Sequence, residues 1–181
     1  PDYDDTYFYT LVEGEGDADN SLFEVDGENL LAQTVFDFET KNEYRIRLRV
    51  TDEAGLFHEE QMTLSVLDVN EKPLSLVLES YSLSENNKIG DVFAKIISED
   101  PDYDDTYFYT LVEGEGDADN SLFEVDGENL LAQTVFDFET KNEYRIRLRV
   151  TDEAGLFHEE QMTLSVLDVN EKPLSLSSLR I

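Results

Sequence analysis

Acidic residues crowd one six-residue stretch of the chain, DPDYDD at residues 100–105, which contains four carboxylates. Two carboxylates about 4 Å apart repel each other by about 1 kcal/mol in water, and by more beside a low-dielectric protein surface. No basic residue lies within the stretch to offset that repulsion. The stretch therefore predicts either a well-solvated acidic loop or a loop that binds a cation.

Further oxygen ligands recur where predicted strands meet loops, in the motifs LSEN, DPD, FDFE, VTDEAG and DVNEKP. The candidates in these motifs are Glu85, Asp100, Asp102, Asp137, Glu139, Asp152, Asp168, Asn170 and Glu171. Clustered carboxylate and amide oxygens suit Ca²⁺, which takes about 6–8 oxygen ligands, better than Mg²⁺, which keeps several waters. Zn²⁺ prefers Cys and His, and the chain has no Cys and two His. The sequence therefore predicts Ca²⁺ as the bound ion.

Two other kinds of acidic site fit the sequence less well. An EF-hand loop at residues 100–111 would need Gly at its sixth position and Glu at its twelfth, where the chain has Asp105 and Leu111. Paired carboxylates hydrolyse glycosides when they flank a cleft, but these acids lie at predicted strand ends, and no nucleophile has a base beside it. We therefore expect a protein that is not an enzyme.

The elements that must position the acids are predicted to be β-strands. Residues 144–150, YRIRLRV, alternate strictly between apolar and basic side chains, and residues 161–166 alternate between polar and apolar ones. Residues 122–131 form a predicted hairpin around the turn Asp126-Gly127. Further strands are predicted at residues 80–84, 91–98 and 106–112. Seven short strands per repeat, with no helical period, predict an all-β fold of two packed sheets.

The chain repeats itself with a period of 100 residues, because residues 1–76 recur without a change as residues 101–176. Residues 77–100 occur once and contain two of the predicted strands. A repeat that began at residue 1 would have to join strand ends at opposite poles of the sandwich through residues 72–74. Three residues reach only about 10 Å, which is too short for the length of several strand residues. The predicted organisation is a truncated first repeat lacking its two opening strands, a complete second repeat, and the start of a third repeat or a tail, at residues 1–73, 74–173 and 174–181.

Composition excludes several classes of partner. The net charge of −30 argues against nucleic acid and against anionic lipid surfaces, both of which attract basic proteins. No apolar run reaches the roughly 18 residues that span a bilayer, so we expect a protein that is not embedded in a membrane. Without Cys there is no disulfide framework, while a hydrophobic content of 40% is enough to bury a core.

The five acidic motifs, in their order and spacing, resemble a cadherin repeat. The longer stretches GEGDADNSLFEVDGENLL and FDFETKNEYRIRLRVTDEAGL resemble repeats of very large bacterial surface proteins. The resemblance covers essentially the whole chain. It implies tandem seven-stranded Greek-key β-sandwiches of the cadherin and immunoglobulin type, exposed at a bacterial cell surface.

The resemblance also implies how the ligands are grouped, because cadherin ions lie between successive repeats. The set at the junction of the two copies comprises Asp37, Glu39, Asp68, Asn70, Glu71, Asp100, Asp102 and Asp152. A second set awaits a following repeat and comprises Glu85, Asp137, Glu139, Asp168, Asn170 and Glu171. Asp2 and Asp52 belong to a site before the first copy. The first copy has no counterpart of Glu85, and Lys72 stands where the family has an Asn ligand, so we expect only one or two ions per junction.

Three functions follow from this interpretation. The main expectation is a segment of an extracellular adhesin, in which neighbouring repeats of one long chain are stiffened by Ca²⁺ into an extender or adhesive rod. The alternative is a recognition module that binds a polysaccharide, another cell-surface ligand or a like repeat on another cell. A third possibility is a fibre subunit that self-associates by strand exchange, with residues 77–100 of another chain completing the first repeat.

Overall fold

Segments with alternating apolar and polar side chains form the strands of this protein, as the period-2 pattern predicts. The structure is a computed structural model that describes residues 6–102 and 106–172. It divides into two units, Pro1–Val69 and Asn70–Ile181, which we call unit 1 and unit 2. In the part of the chain that the structure describes, no helix has the length and apolar character needed to cross a membrane.

Unit 1 contains five described strands in two small antiparallel sheets. They are β1 (Phe8–Leu11), β2 (Phe23–Asp26), β3 (Asn29–Ala32), β4 (Glu43–Thr51) and β5 (Phe57–Ser65). Strand β4 lies between β1 and β5 in one sheet, while β2 and β3 form a separate hairpin. A short 3₁₀ turn, Asn20–Leu22, precedes β2.

Unit 2 contains eight described strands in two four-stranded sheets. They are β6 (Ser75–Leu78), β7 (Ser82–Ser84), β8 (Val92–Glu99), β9 (Phe108–Leu111), β10 (Phe123–Asp126), β11 (Asn129–Ala132), β12 (Glu143–Thr151) and β13 (Phe157–Leu167). One sheet has the order β10-β11-β8-β6 and the other the order β7-β13-β12-β9. All described pairs are antiparallel except β7 with β13, which is parallel. This all-β architecture confirms the predicted fold class.

Strand β6 is the element that the sequence analysis does not predict. It pairs with β8 in one sheet, whereas β7, three residues further along the chain, pairs with β13 in the other sheet. The chain therefore changes sheets between Leu78 and Ser82. Two short consecutive strands take the place of one predicted strand near residues 80–84.

The core of unit 2 follows the predicted alternation along its two longest strands. The inward side chains are all at most 6% exposed, namely Tyr144, Ile146, Leu148 and Val150 on β12 and Met162, Leu164 and Val166 on β13. Arg147 and Arg149 project from the opposite face of β12, and both bind the carboxylate of Glu159 on β13. The period-2 pattern therefore separates a packed face from a salt-bridged outer face.

The predicted hairpin turn is also confirmed. Strands β10 and β11 pair in a register that places Asp126 opposite Asn129, which leaves Gly127 and Glu128 as the two loop residues. Gly127 has a φ of 57°, in the left-handed region that favours glycine. The turn therefore begins at Gly127, and Asp126 of the predicted pair is the last paired residue of β10.

Identical residues are buried differently in the two units. Leu30 on β3 is 36% exposed, while its copy Leu130 on β11 is 0% exposed. The difference arises because the core of unit 2 includes Leu76, Leu78, Phe93, Ala94 and Ile96, from the segment around residues 77–100. The predicted boundaries at residues 1–73, 74–173 and 174–181 stay a prediction, and residues 173–181 lie outside the described part of the chain.

Candidate metal sites

One group of candidate oxygen ligands in unit 2 lies where strands β8 and β12 end, and we call it the first acidic set. Its members are Asn70, Glu71, Asp100, Asp102 and Asp152. Asp100 directly follows β8, and Asp152 directly follows β12. Glu71 and Asp102 offer carboxylate oxygens within 4.8 Å of each other. Strand ends therefore bring together residues that are far apart in the sequence.

Hydrogen bonds hold the first acidic set in place. The Asn70 side-chain amide donates to Asp152 Oδ2 at 2.9 Å, and the Glu71 N–H donates to Asp102 Oδ2 at 3.0 Å. The Asp102 N–H donates to Asp100 Oδ1 at 3.2 Å. These bonds fix acidic side chains close together without neutralising their charges, since all the donors are uncharged amides.

The half-buried Asp100 and the buried Asp152 respond differently to their surroundings. Burial alone would raise the pKa of Asp152, but hydrogen bonds from Asn70 and from the N–H groups of residues 154–156 outweigh it and lower the pKa. Burial raises the pKa of Asp100, and the charges of Asp102 and Asp152 raise it further, against the Asp102 N–H bond that lowers it. Asp152 is thus held as a carboxylate, while Asp100 lacks a stabilising positive charge.

One oxygen of Asp100 shows why a cation fits this location. Among the described residues, Asp100 Oδ2 is the buried side-chain polar atom that has no hydrogen-bond partner. A buried acceptor without a partner costs about 1–3 kcal/mol. A hard cation beside Asp100, Asp102 and Asp152 would bind that oxygen and offset the repulsion among the three carboxylates.

Replacing Asp100 by Asn is expected to change the stability of unit 2 in opposite directions with and without calcium. In excess chelator, Asp100→Asn removes one of three mutually repelling carboxylates, so the free energy of unfolding rises by about 1 kcal/mol. In saturating calcium the variant lacks a charged ligand, so it is less stable than the parent. Thermal unfolding at pH 7 under both conditions checks this, and a change of the same sign in both would contradict it.

The pKa of Asp100 adds a pH test in the absence of metal. Because its pKa is raised in the folded state, the folded chain binds the proton more tightly than the unfolded chain. The contribution of Asp100 to stability is therefore unfavourable above the folded pKa and is relieved as the pH falls through it toward the unfolded pKa. The Asp100→Asn variant should lack this gain in stability at low pH. Subtracting the variant's free energy of unfolding from that of the parent at each pH measures the difference.

A second acidic set lies where β7 and β13 end. Its members Glu85, Glu139 and Asp168 offer carboxylate oxygens within 4.8 Å of one another. Glu85 is only 4% exposed, and its two oxygens accept hydrogen bonds from the N–H groups of Val169 at 2.8 Å and Phe138 at 2.9 Å. The buried Glu85 thus ties the loop that precedes β12 to the chain that follows β13.

The charge around Glu139 is uncompensated in the same way. Its own N–H lowers the pKa of Glu139, but burial and the charges of Glu85, Glu171 and Asp168 together outweigh that bond and raise the pKa. Glu171 Oε1 accepts a hydrogen bond from the side-chain amide of Asn86, at 2.9 Å. The predicted ligands Glu85, Glu139, Asp168 and Glu171 are therefore neighbours in unit 2.

Asp137 and Asn170 stand apart from this group in their contacts. Both Asp137 oxygens accept hydrogen bonds from Thr140, from its hydroxyl at 2.9 Å and its N–H at 3.1 Å, and these bonds lower the pKa of Asp137. Asn170 is exposed. The sequence analysis does not single out Asn86 or Thr140. The sequence feature that could have identified Asn86 is its position directly after Glu85 in LSEN. In the structure Asn86 adopts a positive φ of 61°.

The predicted ligands of unit 1 have matching local contacts. Glu39 and Asp68 offer carboxylate oxygens within 4.8 Å of each other. Asp37 accepts hydrogen bonds from the Thr40 N–H at 3.0 Å and its hydroxyl at 3.1 Å, which lower its pKa, and Asp52 accepts one from the Leu56 N–H at 2.8 Å. Asp2 lies outside the described residues.

Comparison with known proteins finds relatives among cadherins, although no family model matches the chain. Cadherin-4 of Caenorhabditis elegans is 38% identical over 82 residues, or 44% of this chain and 2% of the relative. Mouse Protocadherin Fat 2 is 28% identical over 146 residues (76% and 3%), and human Protocadherin Fat 4 is 27% identical over 172 residues (91% and 3%). The chain therefore spans only about 2–3% of the length of these relatives.

Solved cadherin structures share the fold. The human Protocadherin-24 EC1-2 structure matches 94% of this chain and 85% of its own, with a TM-score of 0.70 at 17% identity. Mouse Cadherin-23 EC22-24 matches 91% of this chain and 55% of its own, with a TM-score of 0.61 at 21% identity. The chain thus shares the fold of cadherin domains, and its named relatives are cadherins.

Proposed function

We propose that these cadherin-like repeats form a calcium-binding segment of an extracellular adhesion protein, in which Ca²⁺ links successive repeats and stiffens the chain into a rod. The observation that carries the proposal is the buried, unpartnered Asp100 Oδ2 beside Asp102 and Asp152. That oxygen belongs to a set of hard ligands whose order along the chain matches the cadherin motifs. A solvated acidic loop would expose such an oxygen to water instead.

The proposed mechanism is electrostatic. Without metal, clustered carboxylates repel one another and the linker near residues 68–73 is free to bend. With Ca²⁺, the end of one repeat and the start of the next become ligands of the same ion. Extracellular modules bind Ca²⁺ at about 10⁻⁴–10⁻³ M, so millimolar calcium outside a cell would keep the rod stiff.

The residues proposed as ligands extend the acidic sets described above. Asp37, Glu39 and Asp68 are proposed to join the first acidic set, and Asp137 and Asn170 the second. Asp2 and Asp52 are proposed to serve a preceding repeat. We keep the proposal of one or two ions per junction, because the ammonium of Lys72 repels a cation where the family has an Asn.

The proposed location is a bacterial cell surface. Its bacterial part rests on the resemblance of GEGDADNSLFEVDGENLL to repeats of large bacterial surface proteins. Its extracellular part is supported by the similarity to cadherins, since one matching structure contains the extracellular cadherin domains of Protocadherin Gamma B2.

Small-angle X-ray scattering of the chain tests the proposed stiffening. Titration from excess chelator into millimolar calcium is expected to lengthen the maximum dimension and narrow the distance distribution, because bound ions restrict bending. Magnesium at the same concentration is the control and should have a smaller effect. An unchanged distance distribution in calcium would leave the acids as solvated loops.

A second candidate function is recognition of a like repeat or a glycan. One matching structure is described as a cis-dimer of Protocadherin gammaB7, which supports association between such repeats. Calcium-dependent binding of the monomeric chain to a glycan array, or dimerisation in sedimentation experiments, would favour this function. A chain that stays monomeric and binds no glycan would favour the rod.

A further inference from the structure

Two consecutive residues that follow strand β7 hold the chain that leaves unit 2. Glu85 Oε1 accepts a hydrogen bond from the Val169 N–H at 2.8 Å. The next residue, Asn86, donates from its side-chain amide to Glu171 Oε1 at 2.9 Å. Each bond joins residues that are more than 80 positions apart in the sequence. The segment 168–171, which follows the last strand and carries candidate ligands, is therefore held by side chains from the far end of the unit.

The backbone of Asn86 is itself anchored. Its φ of 61° lies in the left-handed region, which Gly and Asn adopt more readily than other residues. The Asn86 N–H donates to the Phe136 carbonyl at 3.0 Å. The Phe136 N–H in turn donates to Oδ1 of the buried Asn87, at 2.9 Å. Asn86 is thus tied to the loop that precedes β12, so its amide starts from a defined position.

The bond from Asn86 holds the Glu171 carboxylate near the second acidic set. In the described part of the chain, the Asn86 amide is the one hydrogen-bond donor to this carboxylate, and it engages Oε1. The charge of Glu171 acts on Glu139, as described above for the pKa of that residue. Carboxylate oxygens of Glu85, Glu139 and Asp168 lie within 4.8 Å of one another. The second oxygen of Glu171 is therefore left for a cation bound beside these residues.

An uncharged amide suits this task better than a basic side chain. A glutamate side chain loses rotamer entropy when an ion fixes it, and part of that loss has already occurred where a hydrogen bond holds the side chain beforehand. Lys or Arg would also hold the carboxylate, but its positive charge would repel a divalent cation. Removing a hydrogen-bond partner of a metal-ligating carboxylate typically weakens metal binding by about 10–100-fold.

We propose that Asn86 is a positioning residue for calcium, whose amide fixes the Glu171 carboxylate beside the second acidic set before the ion binds. This inference rests on the proposed calcium-binding function and adds to it a residue that acts through a ligand. Because Asn86 acts through Glu171, its contribution to calcium affinity should vanish when the Glu171 side chain is removed. The neighbouring Asn87 contributes to the fold instead.

Calcium titration of the full chain, followed by NMR, measures the affinity of each acidic set separately. The amide signals of Val169 and Phe138 report on the second set, because both groups donate to Glu85. The amide signal of Leu156 reports on the first set, because it donates to Asp152. The titration runs from excess chelator to tens of millimolar calcium.

Replacing Asn86 by Gly removes the amide and keeps a residue that adopts a positive φ without strain. Asn86 and Glu171 are both exposed, so we expect calcium to bind about three- to tenfold more weakly at the second set, read from Val169. Affinity at the first set, read from Leu156, should stay within about twofold. In a chain that carries Glu171→Ala, Asn86→Gly should weaken binding no further.

Replacing Asn87 by Ala is the matched control for a structural role. It removes the hydrogen bonds that Asn87 makes with the Thr134 carbonyl at 2.8 Å and the Phe136 N–H at 2.9 Å, so the melting temperature in excess chelator should fall. Asn86→Gly should keep a melting temperature in chelator close to that of the parent, because the bond that it removes is exposed.

Three outcomes would overturn the role of Asn86. They are an unchanged affinity at the second set in Asn86→Gly, an equal weakening at both sets, and a further weakening in the chain that carries Glu171→Ala. A parent chain whose Val169 and Phe138 signals do not respond to calcium would refute the proposed second site itself, and the role of Asn86 with it. The parent titration therefore separates failure of the site from failure of the positioning residue.

Discussion

Replacing Leu130 by Ala lowers the free energy of unfolding of unit 2 by about 2–5 kcal/mol, whereas the same change at Leu30 lowers that of unit 1 by less than about 1 kcal/mol. The two residues occupy identical sequence positions. Leu130 is fully buried against residues of β8, so its truncation leaves a cavity. Leu30 is 36% exposed, so solvent fills the space that its side chain leaves.

Calorimetry in excess chelator measures this difference. We expect two transitions, with unit 1 unfolding at the lower temperature because its core lacks the residues of β6 and β8. Ile46→Ala and Ile146→Ala are the matched controls, since both isoleucines are 0% exposed. Those two variants should each lose at least about 2 kcal/mol. Equal losses in Leu30→Ala and Leu130→Ala would contradict the difference in burial between the two leucines.

Replacing Asp152 by Asn is expected to remove most of the stabilisation that calcium gives to unit 2. At 10 mM calcium and the affinities typical of extracellular modules, a single bound ion stabilises the folded state by about 1.4–2.7 kcal/mol. Asn keeps an oxygen to accept the Leu156 N–H, which the parent bonds at 2.8 Å, so the loop is retained. The substitution removes the charge and the Oδ2 acceptor of the Asn70 amide, and it keeps the oxygen that the Leu156 N–H bonds.

The same substitution in the first copy is the control for Asp152. Asp52→Asn changes an identical residue that also accepts the Leu56 N–H, but that residue is proposed to serve a preceding repeat. Melting temperatures of both variants are compared in calcium and in chelator. A full calcium-dependent rise in Asp152→Asn would contradict the assignment of the first acidic set as ligands.

Local pattern predicts the long strands of this fold but not every short one. Residues 144–150 alternate over a full strand, so their inward and outward faces follow from the period of the backbone. Strand β6 has only four residues, and no Gly or Pro marks its end. The chain leaves one sheet there and enters the other sheet within three residues. Its pairing depends on β8 and that of β7 on β13, the latter about 80 residues away in the sequence.

The candidate sites show a similar division. The order of the acidic motifs predicts which strand ends meet, and the structure places Glu85, Glu139 and Asp168 together. The hydrogen bonds that Asn86 and Thr140 make depend on loop backbone geometry, which spacing does not determine. The contrast between Leu30 and Leu130 lies beyond any local pattern, because the two residues have the same neighbours in sequence over tens of residues and differ only in what covers them.

The parallel pairing of β7 with β13 has a consequence for a protein under tension. These strands lie near the two ends of unit 2, and Ser82, Leu83 and Ser84 pair with Ser165, Val166 and Leu167 in the same direction. A pulling force applied at both ends therefore draws the two strands past each other along their length. The hydrogen bonds of the pair are loaded in shear and share the force, instead of opening one after another like a zipper.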